Sequence, residues 1–139
     1  MSSTLTRFWF ATAALSSLLM VGVSAAAGED PRTIVDRVYS VAQAERGESR
    51  FKTSCSSCHT PSSFGGGSFA ERWNGQTMAE VFDFVSNAMP ENDPGGLKPQ
   101  DYVDVLAFIL SVNAYPVGND ELPTDAASLK KLGIAPNPK

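Results

Sequence analysis

The stretch that decides the fold is Cys55-Ser56-Ser57-Cys58-His59, which follows a segment of helical pattern and precedes a loop rich in serine and glycine. The chain contains two cysteines and one histidine, and all three lie within these five positions. Any chemistry that needs a thiol or an imidazole must therefore take place here.

The spacing Cys-x-x-Cys-His is the attachment pattern of covalently bound haem. The thiols of Cys55 and Cys58 can add to the two vinyl groups of one haem. His59 is then placed under the iron as the proximal ligand, because imidazole is a strong ligand of haem iron. The motif predicts a single haem c.

Three other interpretations of the same motif remain open. Cys55 and Cys58 could form a short-range disulfide or a thioredoxin-like dithiol without haem. A thioredoxin motif is expected after a strand in an α/β pattern, whereas this one ends a helical segment. A structural zinc site needs four ligands, and the Cys and His side chains of the chain supply three.

The second axial ligand of the iron cannot be histidine, because the chain has no second one. Met78 falls on the apolar stripe of a predicted helix, where methionine usually packs in the core. Met89 lies at a helix end, immediately before Pro90 and a loop, and we expect it to bind the iron. An open sixth position would instead indicate a gas-binding or peroxidase-like haem protein.

Residues 1–27 are typical of a secretory signal peptide. Arg7 is the single charge of the first 28 residues, an apolar run extends over residues 8–23, and small residues follow it. The run is slightly shorter than the roughly 17–25 residues of a membrane-spanning helix, so an uncleaved anchor is the weaker alternative. We expect cleavage after Ala25 or Ala27 and no membrane span afterwards.

Length and charge set the remaining bounds. The 139 residues are enough for one domain, and the formal net charge is −4. A nucleic-acid-binding surface is excluded, because such surfaces need clustered basic residues to neutralise phosphates.

Hydrophobic periodicity predicts three or four helices and no alternating strands. The first covers residues 33–54, and Gly47 can divide it. Thr77-Met78-Ala79-Glu80 forms a capping box that opens a second helix ending by residue 88 or 89. Pro99 suits the first turn of a third helix, which extends to about residue 113. Residues 60–75 are expected to form a loop, and residues 125–132 a short turn.

Residues 44–113 resemble the class I cytochromes c. The resemblance is carried by Gly47, Phe51, the Cys-x-x-Cys-His motif, Met89-Pro90 and the late helix Val105-Leu106-Ala107-Phe108. It implies an all-α fold of three to four helices packed around one covalent haem, with Gly47 of the first helix touching Phe108 of the last. The implied organisation is a signal peptide (1–27), an N-terminal helical extension (28–43), the cytochrome c domain (44–113) and a C-terminal tail (114–139).

A narrower resemblance concerns the small cytochromes that serve periplasmic quinoprotein dehydrogenases, enzymes that oxidise alcohols or sugars with pyrroloquinoline quinone. It is carried by Trp73-Asn74-Gly75, Pro94-Gly95-Gly96-Leu97 and the tail residues 116–123. It implies a periplasmic electron carrier, not an enzyme, which accepts electrons from such a dehydrogenase and passes them to a terminal oxidase or another cytochrome.

The resemblance also suggests roles for the aromatic residues. The Trp73 indole N–H would donate to a haem propionate, although a core aromatic with its N–H satisfied elsewhere is the alternative. Phe64, Phe69 and Phe82 are expected to form walls of the haem crevice. One feature departs from the family pattern. The loop after His59 usually carries a proline whose carbonyl accepts the His N–H, but here only Pro61 is nearby and residues 64–69 contain no proline.

Overall fold

The structure is a computed structural model that describes residues 31–138, so the expected signal peptide lies outside the described residues. This part of the chain forms five α-helices and a single 3₁₀ turn, Pro61–Phe64. The helices are α1 (Val41–Ser54), α2 (Ser68–Trp73), α3 (Met78–Ala88), α4 (Pro99–Val112) and α5 (Ala126–Leu129). Two short strands, β1 (Arg32–Thr33) and β2 (Leu132–Gly133), pair in parallel. The predicted all-α class is confirmed.

The two helices with the clearest start signals begin where they were expected. The capping box at Thr77 and Glu80 is formed, with the Thr77 N–H donating to the Glu80 carboxylate at 2.7 Å. Pro99 occupies the first turn of α4, where its missing N–H costs nothing. None of the helices within residues 31–138 is long and apolar enough to cross a membrane.

The helical extension expected from residue 33 is wrong as far as residue 40, because α1 begins only at Val41. Thr33 and Asp36 close a turn on themselves, with the Thr33 N–H donating to the Asp36 carboxylate at 2.6 Å. Arg37 then has a positive φ of 57°, which no α-helix accommodates. Ser40 caps the helix that follows by accepting from the Gln43 N–H at 3.1 Å.

A second difference lies in the segment expected to be a loop, because residues 60–75 contain the 3₁₀ turn and α2. Gly67, with a φ of 92°, turns the chain into α2. Phe69 is 5% exposed. Tertiary burial of this aromatic residue, together with glycine at the required positive φ, supports a helix too short for periodicity to reveal.

The crossing of α1 and α4 forms the centre of the molecule. Gly47 of α1 lies so close to α4 that an added Cβ would overlap the Asp104 carbonyl and stand 3.0 Å from the Cβ of Phe108. Glycine permits this approach because it has no side chain. The close contact between Gly47 and Phe108, expected from the family resemblance, is present.

An ion-pair network spans the edge of this crossing. Arg46 Nε donates to the Asp104 carboxylate at 2.9 Å, and its Nη2 donates to Glu121 at 2.7 Å. Gln100 supplies a further donor to Asp104 at 2.7 Å. The Asp104 side chain is only 6% exposed, so these donors replace the water that its carboxylate loses. The Arg46 guanidinium also lowers the pKa of Glu121 below its usual value.

The N-terminal segment and the C-terminal tail pack together on the same core, and we call this pairing the terminal clasp (residues 32–43 with 115–134). Besides the pairing of β1 with β2, the buried Gln43 amide exchanges two hydrogen bonds with the Leu122 backbone, at 2.8 and 3.1 Å. The Tyr39 hydroxyl donates to the Tyr115 carbonyl at 2.7 Å. The buried residues of the clasp join those of α1, α3 and α4 in one hydrophobic cluster.

Candidate functional site

A cavity of about 670 Å³ lies between the C-terminal end of α1, α3 and α4. Its volume falls within the range of protein sites for small molecules and cofactors, roughly 300–1,000 Å³. Apolar side chains from four helices provide much of the lining, among them Phe51, Phe69, Val81, Val85, Val105, Leu106 and Ile109.

One wall of the cavity carries the Cys-x-x-Cys-His motif. The chain leaves α1 in a turn in which the Cys55 N–H donates to the Phe51 carbonyl at 2.8 Å and the His59 N–H to the Cys55 carbonyl at 2.9 Å. This turn brings Cys55, Cys58 and His59 onto the cavity together. Cys55 is half-buried and Cys58 is exposed.

The ring of His59 packs against Phe64, with 5.3 Å between the ring centroids. Phe64 packs edge-on against Phe51 at 6.0 Å. Among the described residues, the His59 imidazole makes no hydrogen bond. No described residue therefore replaces the carbonyl that a proline usually offers to the His59 side chain. Contact with Phe64 orients the imidazole ring instead.

Cys55 does not provide the activated thiol that a dithiol oxidoreductase needs. Burial raises the pKa of the Cys55 thiol above its usual value, against a smaller opposing effect of the Arg50 charge. Redox-active cysteines have lowered thiol pKa values, because the thiolate is the nucleophile. The environment of Cys55 thus favours the protonated thiol at neutral pH.

Met89 lies on the cavity and Met78 does not. Met89 ends α3, where its N–H donates to the Val85 carbonyl at 2.9 Å. Its own carbonyl accepts from the Tyr102 hydroxyl at 2.7 Å. Met78 is fully buried in the hydrophobic core. Core packing is the usual role of a methionine on the apolar stripe of a helix.

The aromatic residues divide between the cavity and its surroundings. Phe64, Phe69 and Trp73 line the cavity. Phe82 does not, because it lies on the neighbouring face of α3 and packs against Tyr102 with 6.0 Å between ring centroids. Phe84 lines the cavity instead. Val81, Phe84 and Val85 follow the i, i+3, i+4 spacing of one helix face, so Phe82 was assigned to the wrong side.

Trp73, Phe84 and Arg72 form a cluster at the edge of the cavity. The two ring centroids are 5.4 Å apart, and the guanidinium carbon of Arg72 stands 5.2 Å from each of them. Arg72 also lines the cavity. The Trp73 indole N–H makes no hydrogen bond within residues 31–138, so it is available to an acceptor in the cavity.

Two residues that hold the site in place escaped the sequence analysis. Tyr102 was assigned to the apolar stripe of α4, yet its hydroxyl secures the Met89 segment. The Asn113 side-chain amide donates to the carbonyls of Phe64 and Ile109, at 2.7 and 2.9 Å, and so ties the loop after His59 to the end of α4. A buried tyrosine needs a partner for its hydroxyl. The presence of Tyr102 on a buried stripe could therefore have indicated a hydrogen bond from its hydroxyl to another segment.

Replacing Tyr102 by phenylalanine is expected to lower the free energy of unfolding by about 1 kcal/mol, because the half-buried Met89 carbonyl loses its donor. Chemical denaturation measures this loss. Tyr39→Phe is the matched control, since it removes a 2.7 Å hydrogen bond to the Tyr115 carbonyl away from the cavity. Only Tyr102→Phe should alter the absorption bands of a bound chromophore; equal spectral effects from both variants would contradict a local role for Tyr102.

The residues of the cavity fit a haem. Protein interiors are close-packed, and a large apolar cavity that reaches into the core suits a flat apolar group. Two thiols beside an imidazole provide the donor set for covalent attachment and iron binding. A thioether side chain from Met89 and an unpaired indole N–H from Trp73 complete the polar groups that such a cofactor would use.

Comparison with known families agrees with this arrangement. Residues 42–109 match the family model described as cytochrome C oxidase, cbb3-type, subunit III. Comparisons with curated proteins and with solved structures gave no match. The match extends over α1, the Cys-x-x-Cys-His motif, α2, α3 and most of α4. The fold and the family match together support a c-type cytochrome domain over these residues.

Proposed function

We propose that this chain is a periplasmic carrier of single electrons that holds one haem c. The observation that supports the proposal most strongly is that one apolar cavity is lined by both thiols, by the single imidazole of the chain and by Met89. These four side chains can together provide the covalent attachment of a haem and two ligands for its iron.

Each residue of the site has a definite role in this proposal. Cys55 and Cys58 would hold the haem through thioether bonds, and His59 and Met89 would supply ligands to its iron. The haem supplies an iron that gains and loses one electron. With both ligands supplied by the chain, the haem would leave no place for a substrate at the iron and would serve electron transfer without bond formation.

The aromatic residues exclude water from the cofactor. Phe64 and Phe69 would cover it on the side of the loop that follows His59, and Phe84 would cover it from α3. Trp73 would donate its indole N–H to a haem propionate, with Arg72 beside it. A Met and His ligand pair in an apolar crevice favours a high reduction potential, which suits the later steps of an electron-transfer chain.

The proposed partners follow from the sequence resemblance. A quinoprotein dehydrogenase would reduce the haem, and a terminal oxidase or another cytochrome would oxidise it. The family matched by residues 42–109 is named for a subunit of an oxidase, which agrees with an oxidase on the acceptor side. Export through the signal peptide at residues 1–27 would bring the chain to the periplasm, where covalent haem attachment takes place.

Expression with a cytochrome-maturation system tests the attachment. We expect the purified protein to be coloured, to keep its colour through acid-acetone extraction and to gain the mass of one haem. The double variant Cys55→Ser with Cys58→Ser is the control and should lose the colour on extraction. Colour that leaves the wild-type polypeptide, or none at all, would refute the haem proposal and favour a dithiol.

The choice of donor needs a separate experiment. The oxidised protein is mixed with a quinoprotein dehydrogenase and its alcohol or sugar substrate, and haem reduction is followed by absorbance. We expect reduction that depends on both enzyme and substrate. If no such enzyme reduces a correctly matured protein, the dehydrogenase partner is wrong while the electron-carrier function stands.

A further inference from the structure

A second cavity, of about 570 Å³, lies on the face of α2 opposite to the cavity that carries the Cys-x-x-Cys-His motif. Phe69, Arg72 and Trp73 of α2 line the first cavity, whereas Ala70 and Glu71 line the second. The end of α4 and the C-terminal tail form the other walls of the second cavity, with Val112, Asn113, Tyr115, Pro136 and Asn137. The two cavities share no lining residue, so the second is a separate site.

The charge of the second cavity comes from one side chain. Glu71 is the single lining residue with a formal charge, and no lysine, arginine or histidine lines the cavity. The Glu71 carboxylate forms no ion pair with any residue between 31 and 138. An anionic ligand would meet this negative charge without compensation, whereas a cationic ligand would neutralise it.

Three polar side chains of the lining have already used their hydrogen-bond donors. Asn113 and Asn137 each donate both amide hydrogens to backbone carbonyls, at distances of 2.7 to 3.1 Å. The Tyr115 hydroxyl donates to the Ala135 carbonyl at 2.8 Å. An amide group has two donor hydrogens and a hydroxyl has one, so these side chains can offer a ligand only acceptor atoms.

One of these acceptors is orphaned. The side-chain oxygen of Asn113 is buried and has no hydrogen-bond partner, and it is the one such side-chain atom among residues 31–138. Buried polar atoms in native proteins nearly always have a partner. An unpaired acceptor on a residue of this cavity therefore favours a ligand that brings a hydrogen-bond donor.

We propose that the second cavity binds a small protonated organic amine. Its ammonium group lies at the Glu71 carboxylate, and its hydrocarbon part packs against the apolar side chains of Val112 and Pro136. A bare metal ion fits less well, because Ca²⁺ takes several oxygen ligands, commonly from more than one carboxylate, and Glu71 is the single carboxylate of the lining. The inference does not depend on the proposed function, since no residue of the haem site takes part.

Titration with butylammonium chloride tests the proposal. Binding to the purified, nitrogen-labelled protein is followed by NMR at constant ionic strength. We expect saturating shift changes in the millimolar range, concentrated on the amide signals of Gly66, Gly67, Asn113 and Asn137. The alcohol n-butanol has the same chain length with a hydroxyl in place of the ammonium group, and it should bind at least about fivefold more weakly.

A charge-removing variant identifies the recognising group. Glu71→Gln is expected to weaken butylammonium binding about fivefold, because the amide keeps the shape of the carboxylate and loses its charge. Glu45→Gln is the matched control, since Glu45 is an exposed residue of α1 that does not line the cavity. Ala70→Leu is a second variant, which keeps the carboxylate and fills part of the cavity; it should also weaken binding severalfold.

The remaining outcomes would overturn the proposal. Equal binding of n-butanol and butylammonium, or unchanged binding in Glu71→Gln, would contradict recognition of the ammonium group. Ammonium chloride that reproduces the butylammonium shifts would indicate a site for simple cations, and the amine class would be wrong. Shift changes that do not saturate, or that are scattered over the protein, would mean that the cavity binds no amine. Each of these results would leave the haem proposal untouched.

Discussion

Replacing Gly47 by alanine is expected to lower the free energy of unfolding by about 3 kcal/mol. The new methyl group would overlap the Asp104 carbonyl, a backbone atom of α4 that no side-chain rotation can move away. The helices must separate, and the contact of Phe108 with Phe51, at 5.3 Å between ring centroids, loosens with them. Alanine is otherwise favoured over glycine in a helix by about 1 kcal/mol, so the measured loss is what remains after that gain.

Urea denaturation followed by circular dichroism measures this change. Gly133→Ala is the control, because its added Cβ would lie 3.7 Å from its nearest neighbours, an ordinary contact distance. We expect the control to unfold close to the wild-type midpoint. An equally small effect at Gly47 would mean that α1 and α4 cross less closely than in this structure.

Replacing Met89 by leucine is expected to lower the reduction potential of the haem and to open its sixth position. Leucine has nearly the same volume as methionine but no thioether sulfur, so packing survives and the ligand is lost. Axial ligands set haem potentials over a range of roughly 0.8 V, and the change should be a substantial part of it. Cys55, Cys58 and His59 are untouched, so covalent attachment should persist.

Potentiometric titration and the ferric absorption spectrum measure these effects, and carbon monoxide binding to the ferrous protein reports the open position. Met78→Leu is the matched control, because Met78 is fully buried and lies off the cavity. It should keep the wild-type potential. An unchanged ferric spectrum in Met89→Leu would reject Met89 as ligand.

The sequence was most informative where one residue type solves a local physical problem. The capping box at Thr77 and Glu80 and the proline at position 99 satisfy or avoid unpaired N–H groups, so the starts of α3 and α4 could be predicted. The helix expected from residue 33 failed for a different reason. Its apolar residues have helical spacing, but the C-terminal tail packs over them. Periodicity shows that residues are buried and does not show which element covers them.

Site residues could be predicted where their role depends on near neighbours in the chain, and not where it depends on packing. The motif at Cys55, Cys58 and His59 depends on near neighbours in the chain, so its residues were evident before the fold was known. Phe82 and Phe84 are two positions apart on α3, and only the packing of α3 against α4 shows which of them reaches the cavity. Tyr102 and Met89 are far enough apart in sequence that their hydrogen bond leaves no local pattern.

The terminal clasp determines the order in which the chain can fold. Its parallel strands join Arg32 to Leu132 and Thr33 to Gly133, so the clasp closes only when nearly the whole polypeptide is available. The entropy of closing so long a loop grows only with the logarithm of its length, although distant pairing slows folding. Every residue of the cavity precedes β2 in the chain. A nascent chain could therefore present its thiols and imidazole to a maturation enzyme before the clasp closes.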